Sequence, residues 1–173
     1  MVYEPRDPRL DPTGSIQLVE FILNNEKYAL NIEYVKEISP MLEIRPVPKA
    51  PEFVEGVINL RGDIRSVIDL RKRFELPINE NIKPKIIMVE LDEENIFGFI
   101  VDQVEATISV KLSNIDPRPS LFNAAVGSEY IYGVAKVREK LTGGKEKDRL
   151  VIVLDLPRLL NADEWQEFVP ADK

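Results

Sequence analysis

Three stretches of this chain find matching stretches later in it, in the same order. Tyr28–Val35 (YALNIEYV) lines up with Phe97–Val104 (FGFIVDQV), Gly56-Val57 with Gly133-Val134, and Val67-Ile68-Asp69-Leu70 with Val153-Leu154-Asp155-Leu156. Short β sequences resemble one another by chance, but chance does not preserve order. The repeat predicts two similar β units, residues 16–75 and 84–161. Each is a hairpin, a linker, then a second hairpin ending in a short helical turn. Asp69 and Asp155 stand where a carboxylate can accept from the free N–H groups of that turn. The expected fold is all-β, two small barrels packed together with a seam between them.

The local pattern agrees. Apolar runs rich in β-branched residues are broken by turns every 8–12 residues, the spacing of a sandwich or barrel rather than of βαβ units. QLVEFIL and KYALNI flank the turn Asn24-Asn25-Glu26, and IIMVEL and IFGFIV flank Asp92–Asn95. Ala106 to Leu112 alternates apolar and polar, as a half-buried strand does. Pro157 suits the first turn of a helix, and residues 157–168 carry Leu159, Leu160, Trp165 and Phe168 on a loose apolar face. Residues 1–14, with Pro5, Pro8 and Pro12, read as a flexible arm and 162–173 as a helix end and tail. That leaves 15–161 as the folded domain.

Two connectors stand out. Pro40–Pro51 holds four prolines in twelve residues, so it is expected to be extended and stiff rather than a ladder strand. Arg138–Arg149 is a long polar insertion with Gly143-Gly144 at its tip. It reads as a projecting ribbon, where the first half has merely Arg61-Gly62-Asp63.

Composition removes most chemistries. The 173 residues contain no cysteine and no histidine. Zinc sites of Cys or His, cysteine nucleophiles, Ser-His-Asp triads and His-ligated haem are excluded. No phosphate-cradling glycine pattern occurs. Asp92-Glu93-Glu94 lacks the ligand spacing of a calcium loop. Neither a cofactor nor catalysis is expected. The net charge of −7 argues against general nucleic-acid binding. The opening MVYEPRDPRLDPTGS lacks a signal peptide's apolar core, and no apolar run nears a membrane span. A cytoplasmic protein is expected.

One segment reverses the charge. Arg61, Arg65, Arg71, Lys72 and Arg73 face only Asp63 and Asp69 within Arg61–Arg73. A solvated face is the plain reading. A docking point for a partner's carboxylate is the sharper one, because a guanidinium fork supplies orientation as well as charge. Gly62 is expected to adopt positive φ in the tight turn after Arg61.

The string Pro46-Val47-Pro48, Pro51, Val54, then Gly56-Val57-Ile58-Asn59-Leu60-Arg61-Gly62-Asp63-Ile64 and Val67-Ile68-Asp69-Leu70 resembles the signature of the chemotaxis coupling family, CheW. The resemblance runs from about Ile16 to Leu160. It implies two five-stranded SH3-like barrels and a non-enzymatic adaptor. The partners implied are the regulatory domain of the histidine kinase CheA and the cytoplasmic tip of chemoreceptors, within arrays at the membrane. By the same resemblance, Arg61 matches a position important for coupling. Val35, Glu37 and Ile38 match the receptor-facing region, and Gly56, Asn59 and Gly62 lie in the matching turn signature. Ser66 departs from it, since the family usually has proline there. If one helical turn presented Val35 and Ile38 to the seam, a receptor helix could dock there. The alternative function is a small β-barrel nucleic-acid binder.

Overall fold

The computed structural model describes residues 14–117 and 128–160. The expected N-terminal arm and most of the 157–168 helix lie outside the described residues. Among the described residues, eleven strands form two sheets. The strands are β1 (Ser15–Leu23), β2 (Glu26–Asn31), β3 (Val35–Pro40), β4 (Val54–Leu60), β5 (Asp63–Asp69), β6 (Lys85–Asp92), β7 (Asn95–Val101), β8 (Gln103–Lys111), β9 (Ile115–Asp116), β10 (Ile131–Lys140) and β11 (Glu146–Leu154). Short helices α1 (Leu70–Arg73) and α2 (Leu156–Leu160) follow β5 and β11.

One sheet runs β8-β1-β2-β11-β10-β9 and the other β3-β6-β7-β5-β4. The expected SH3-like pair of β units is therefore present, but a repeat half does not make its own sheet. The hairpin of residues 16–31 joins strands of the second half, and the β6–β7 hairpin joins strands of the first. Each half contributes a hairpin to its partner's sheet. The two units are interlocked, a feature that linear pattern matching does not carry.

The repeat itself is reproduced residue by residue. β11 pairs in parallel with β2 at Ile152↔Tyr28 and Val153↔Ala29. β5 pairs in parallel with β7 at Ser66↔Phe97 and Val67↔Gly98. The aligned sequence pairs occupy equivalent places. Asp69 caps α1 by accepting from the Arg71 N–H at 2.9 Å, and Asp155 accepts from the Arg158 N–H at 3.2 Å. The backbone N–H of each aspartate also donates to an equivalent carbonyl, Phe53 for Asp69 and Tyr130 for Asp155, both at 2.8 Å.

The sheets close in the same way. After β3, Arg45 forms a bridge with Val57 of β4, its N–H and carbonyl both bonded at 2.9 Å. After β8, the two residues of β9 pair with Val134 and Ala135 of β10. The proline-rich connector thus makes one ladder contact, contrary to expectation, at the residue just before Pro46. The sixth strand of one sheet is a slightly longer version of that contact. Gly56 and Gly133 lie beneath these crossings. A Cβ at Gly56 would overlap the Arg45 carbonyl, and one at Gly133 would lie 2.6 Å from Ile115 Cγ2.

The central strands are buried on both faces, which is why they read as continuous apolar runs. In β2, Tyr28 and Leu30 join a core shared by both sheets, while Ala29 joins the core inside its own sheet. In β7, Phe97 and Phe99 join the shared core, and Ile96 and Ile100 the inner one. Phe21, Tyr28 and Phe99 are fully buried, each stabilising the fold by about 2–3 kcal/mol. The seam expected to hold a groove is this shared core.

Candidate functional site

β4 and β5 are joined by two residues. Leu60↔Asp63 is the last pair, and Arg61 and Gly62 have φ of 52° and 91°. Positive φ at both positions is the mirror-image turn that suits the twist of a hairpin. Glycine adopts it at little cost, arginine less readily. Asn59 steadies the turn, its Oδ1 accepting from the Gly62 N–H at 2.9 Å.

From this turn the Arg61 guanidinium reaches Glu37 on β3. Nη1 donates to Oε1 at 3.0 Å and Nη2 to Oε2 at 2.9 Å. Two parallel bonds fix the fork in orientation as well as position. The Arg61 side chain is nevertheless 74% exposed. Exposed pairs of this kind contribute about 1 kcal/mol at most to stability. The arginine thus sits on an unfavourable backbone and is held by a pair of small energetic value.

Ile38, next to Glu37, is 48% exposed, and Ile64, just past the turn, is 50% exposed. Ile64 and Asn59 line a groove together with Leu42, Glu43, Arg45 and Val57. The groove runs where the proline-rich connector crosses β4.

The structure separates the remaining site residues. Val35 and Ile38 lie on a strand, not a helical turn, with a register irregularity between Val35 and Glu37. Val35 is half-buried against the shared core, so the helical presentation to a seam is incorrect. Gly56 is buried beneath Arg45, which accounts for it structurally. Ile38, Asn59, Arg61 and Gly62 are exposed and Glu37 is half-buried; the structure joins Glu37 to Arg61 and Asn59 to Gly62.

The basic window is balanced within the molecule. Arg65 lies 3.7 Å from Asp63, and Lys72 bonds Glu55. Arg73 donates to the Tyr130 hydroxyl at 2.7 Å, with its guanidinium over the rings of Phe53 and Tyr130. Arg71 is buried, bonded to Asp69 at 3.0 Å and Asp102 at 3.1 Å. Burial alone would lower the Arg71 pKa, but the hydrogen bonds and charges of Asp69 and Asp102 raise it above its ordinary value. Asp102 also accepts from the Asn24 N–H at 2.8 Å. This cluster therefore joins the β5–α1 junction to the β1–β2 turn of the other sheet. Sequence reading missed it, because Asp102 is distant in the chain and had no motif around it. Of the five basic residues, Arg61 sits at the hairpin tip, exposed but with its fork paired to Glu37.

Among the described residues no group of three or more acidic side chains is arranged to hold a metal ion. No described helix is long and apolar enough to cross a membrane.

The comparisons with known proteins agree with this architecture. The family model of the CheW-like domain matches residues 17–164. The chain is 31% identical to a chemotaxis protein CheW of Treponema pallidum over 171 residues, covering 96% of this chain and 94% of that protein. It is 32% identical to the CheW of Helicobacter pylori, covering 86% and 83%. The crystal structure of the scaffolding protein TtCheW from Thermoanaerobacter tengcongensis superposes with a TM-score of 0.76 at 32% identity, covering 91% of this chain and all of that one. The overall fold is thus one shared with a solved CheW scaffolding protein, and the chain belongs to the CheW-like family.

Proposed function

We propose that this chain is a non-enzymatic adaptor that couples the cytoplasmic tip of a chemoreceptor to the regulatory domain of a CheA-type histidine kinase. The observation that carries this reading is the Glu37–Arg61 pair, an oriented and exposed fork, with exposed Ile38 next after Glu37 in the chain and exposed Ile64 just past the turn. A helical receptor tip presents an apolar stripe with flanking polar residues, and such a stripe suits an exposed apolar strand edge with a charge at its rim. Family membership and the architecture of a scaffolding protein support the same reading. In the cell such a chain sits in the cytoplasm, gathered at membrane-bound receptor arrays.

The receptor surface comprises Glu37, Ile38, Asn59, Arg61 and Gly62 on the five-stranded sheet. Val35 and Gly56 support it from beneath. Titration against a receptor-tip hairpin and, separately, against the kinase regulatory domain tests this. Ile38→Asp should weaken receptor binding about fivefold to thirtyfold, since a half-exposed isoleucine at the centre of a small contact contributes about 1–2 kcal/mol. Its melting temperature should match the parent's and kinase binding should persist. Unchanged receptor binding by a folded Ile38→Asp variant would place the receptor surface elsewhere.

A further inference from the structure

β10 and β11 continue beyond their sheet as a two-stranded ribbon. They pair with each other as far as Lys140↔Glu146. Their outer neighbours stop much earlier, β9 at Val134 and Ala135 and β2 at Ile152 and Val153. Among the described residues, both edges of the ribbon are open past these points. From Lys136 to Arg149 there are six basic residues against three acidic ones, in a chain of net charge −7.

The two faces of the ribbon differ. Val137 is half-buried against the core of the six-stranded sheet, and Arg149 turns to the buried Glu20 at 2.9 Å. That face is inward. The outward face carries Lys136, Arg138 and Lys140 on β10, opposite Leu150, Asp148 and Glu146 on β11. Arg138 lies 3.2 Å from Glu146 and 3.8 Å from Asp148. It balances the acidic side of the ribbon and, among the described residues, leaves Lys136 and Lys140 without an ion pair there. Leu150 and Leu141 add exposed apolar surface.

This pattern discriminates among partners for the open β10 edge. A second copy pairing antiparallel about a twofold axis places residues of one face opposite each other. Arg138 would then meet Arg138, or Lys136 meet Lys140, and like charges directly opposite are destabilising. The alternation therefore opposes self-pairing, a common protection of exposed edges. The same alternation favours a strand whose every second residue is acidic. We propose that the outer edge of β10, Lys136–Lys140, accepts an extended acidic segment of another protein by strand addition. Main-chain bonds would supply affinity, and carboxylates beside Lys136 and Lys140 would supply register.

The test uses the full chain and an eight-residue peptide of alternating glutamate and valine, with a peptide of the same composition in blocks as a control. The alternating peptide should bind, and should slow amide exchange at residues 136–140. Lys136→Gln with Lys140→Gln should weaken it about fivefold to tenfold, as expected for two cross-strand charge pairs. Lys147→Gln, the loss of one charge on the inward face, should leave it nearly unchanged. Equal binding of the block peptide, or equal weakening by Lys147→Gln alone, would show diffuse charge attraction and overturn the proposal. Binding to vesicles of anionic lipid in place of the peptide would overturn it as well, in favour of a lipid surface.

Discussion

The turn after β4 and the ribbon after β10 occupy equivalent places in the repeat, yet they share almost nothing. One is a two-residue turn whose arginine reaches across its own sheet to Glu37. The other projects as an open-edged ribbon whose outward charges are partly balanced by Arg138. The strands beneath them are nearly interchangeable: Val67 faces Gly98 as Val153 faces Ala29. The duplicated core is held constant by packing, which admits few alternatives at native density. The hairpin tips bury little, so they are free to diverge, and divergence there produces different surfaces on similar scaffolds.

The strongest way to break the equivalence is at the two capping aspartates. Asp69 and Asp155 both cap a short helix, but Asp69 also holds the buried Arg71. Asp69→Ala should therefore cost about 3–5 kcal/mol, because it strips a partner from a buried charge. Asp155→Ala should cost about 1 kcal/mol, the value of a cap. Denaturant unfolding of the two variants measures this difference. Equal losses would mean that Asp102 alone suffices to hold Arg71.

Gly56 and Gly133 come next. Both lie under a crossing segment, but Gly56 also has a φ of 146° and its Cβ would overlap the Arg45 carbonyl, whereas one at Gly133 would lie 2.6 Å from Ile115 Cγ2 and 2.8 Å from the Asp116 carbonyl. Gly56→Ala should destabilise by about 2–3 kcal/mol and Gly133→Ala by about 1–2 kcal/mol. The reverse order, read by thermal melting, would show that the Arg45 crossing yields more readily than β9.

How much of this was legible in the sequence follows from the same comparison. Strand content, the repeat register and the two aspartate caps were readable, because alternation and capping are local properties of the chain. The interlocking of the halves was not, since the β1–β2 hairpin carries no signal for which sheet it will join. Glu37 and Arg61 were both singled out, but as separate residues. Their bond closes over a long chain separation and depends on the β3 register, which an irregularity beside Val35 sets. Val35 and Ile38 were misread as helical because a spacing of three is ambiguous over so short a run. Asp102 and the aromatic bed of Arg73 depend wholly on tertiary approach.

Ser66 and Ile152 offer a smaller and opposite effect. They are equivalent by pairing, Ser66 to Phe97 and Ile152 to Tyr28. Ile152 belongs to the shared core, whereas Ser66 is buried with a hydroxyl that has no partner among the described residues. Making the five-stranded sheet resemble the other one, by Ser66→Val, should raise stability by about 1 kcal/mol. The substitution removes an orphaned polar group and adds apolar contact. For a chain of this size the melting temperature should rise by about 2–4 °C. A fall would show that the β-branched side chain overpacks the site.

The smallest stability effect is expected at Arg61. Arg61→Gly deletes the bidentate pair with Glu37, which is exposed and therefore contributes little. It also relieves an arginine from a φ of 52°, a conformation that glycine adopts freely. The two contributions oppose each other, so the melting temperature should stay within about 1–2 °C of the parent. Receptor binding should nevertheless weaken, because the fork that orients the contact is gone. Glu37→Gln separates the alternatives. It leaves Arg61 in place but removes the charge that holds it. If orientation matters, Glu37→Gln should weaken binding nearly as much as Arg61→Gly. If the arginine acts instead by meeting a partner carboxylate, Glu37→Gln should strengthen binding by freeing the fork. A large drop in melting temperature for Arg61→Gly would contradict both, and would make the pair a clasp that closes the five-stranded sheet onto its own turn.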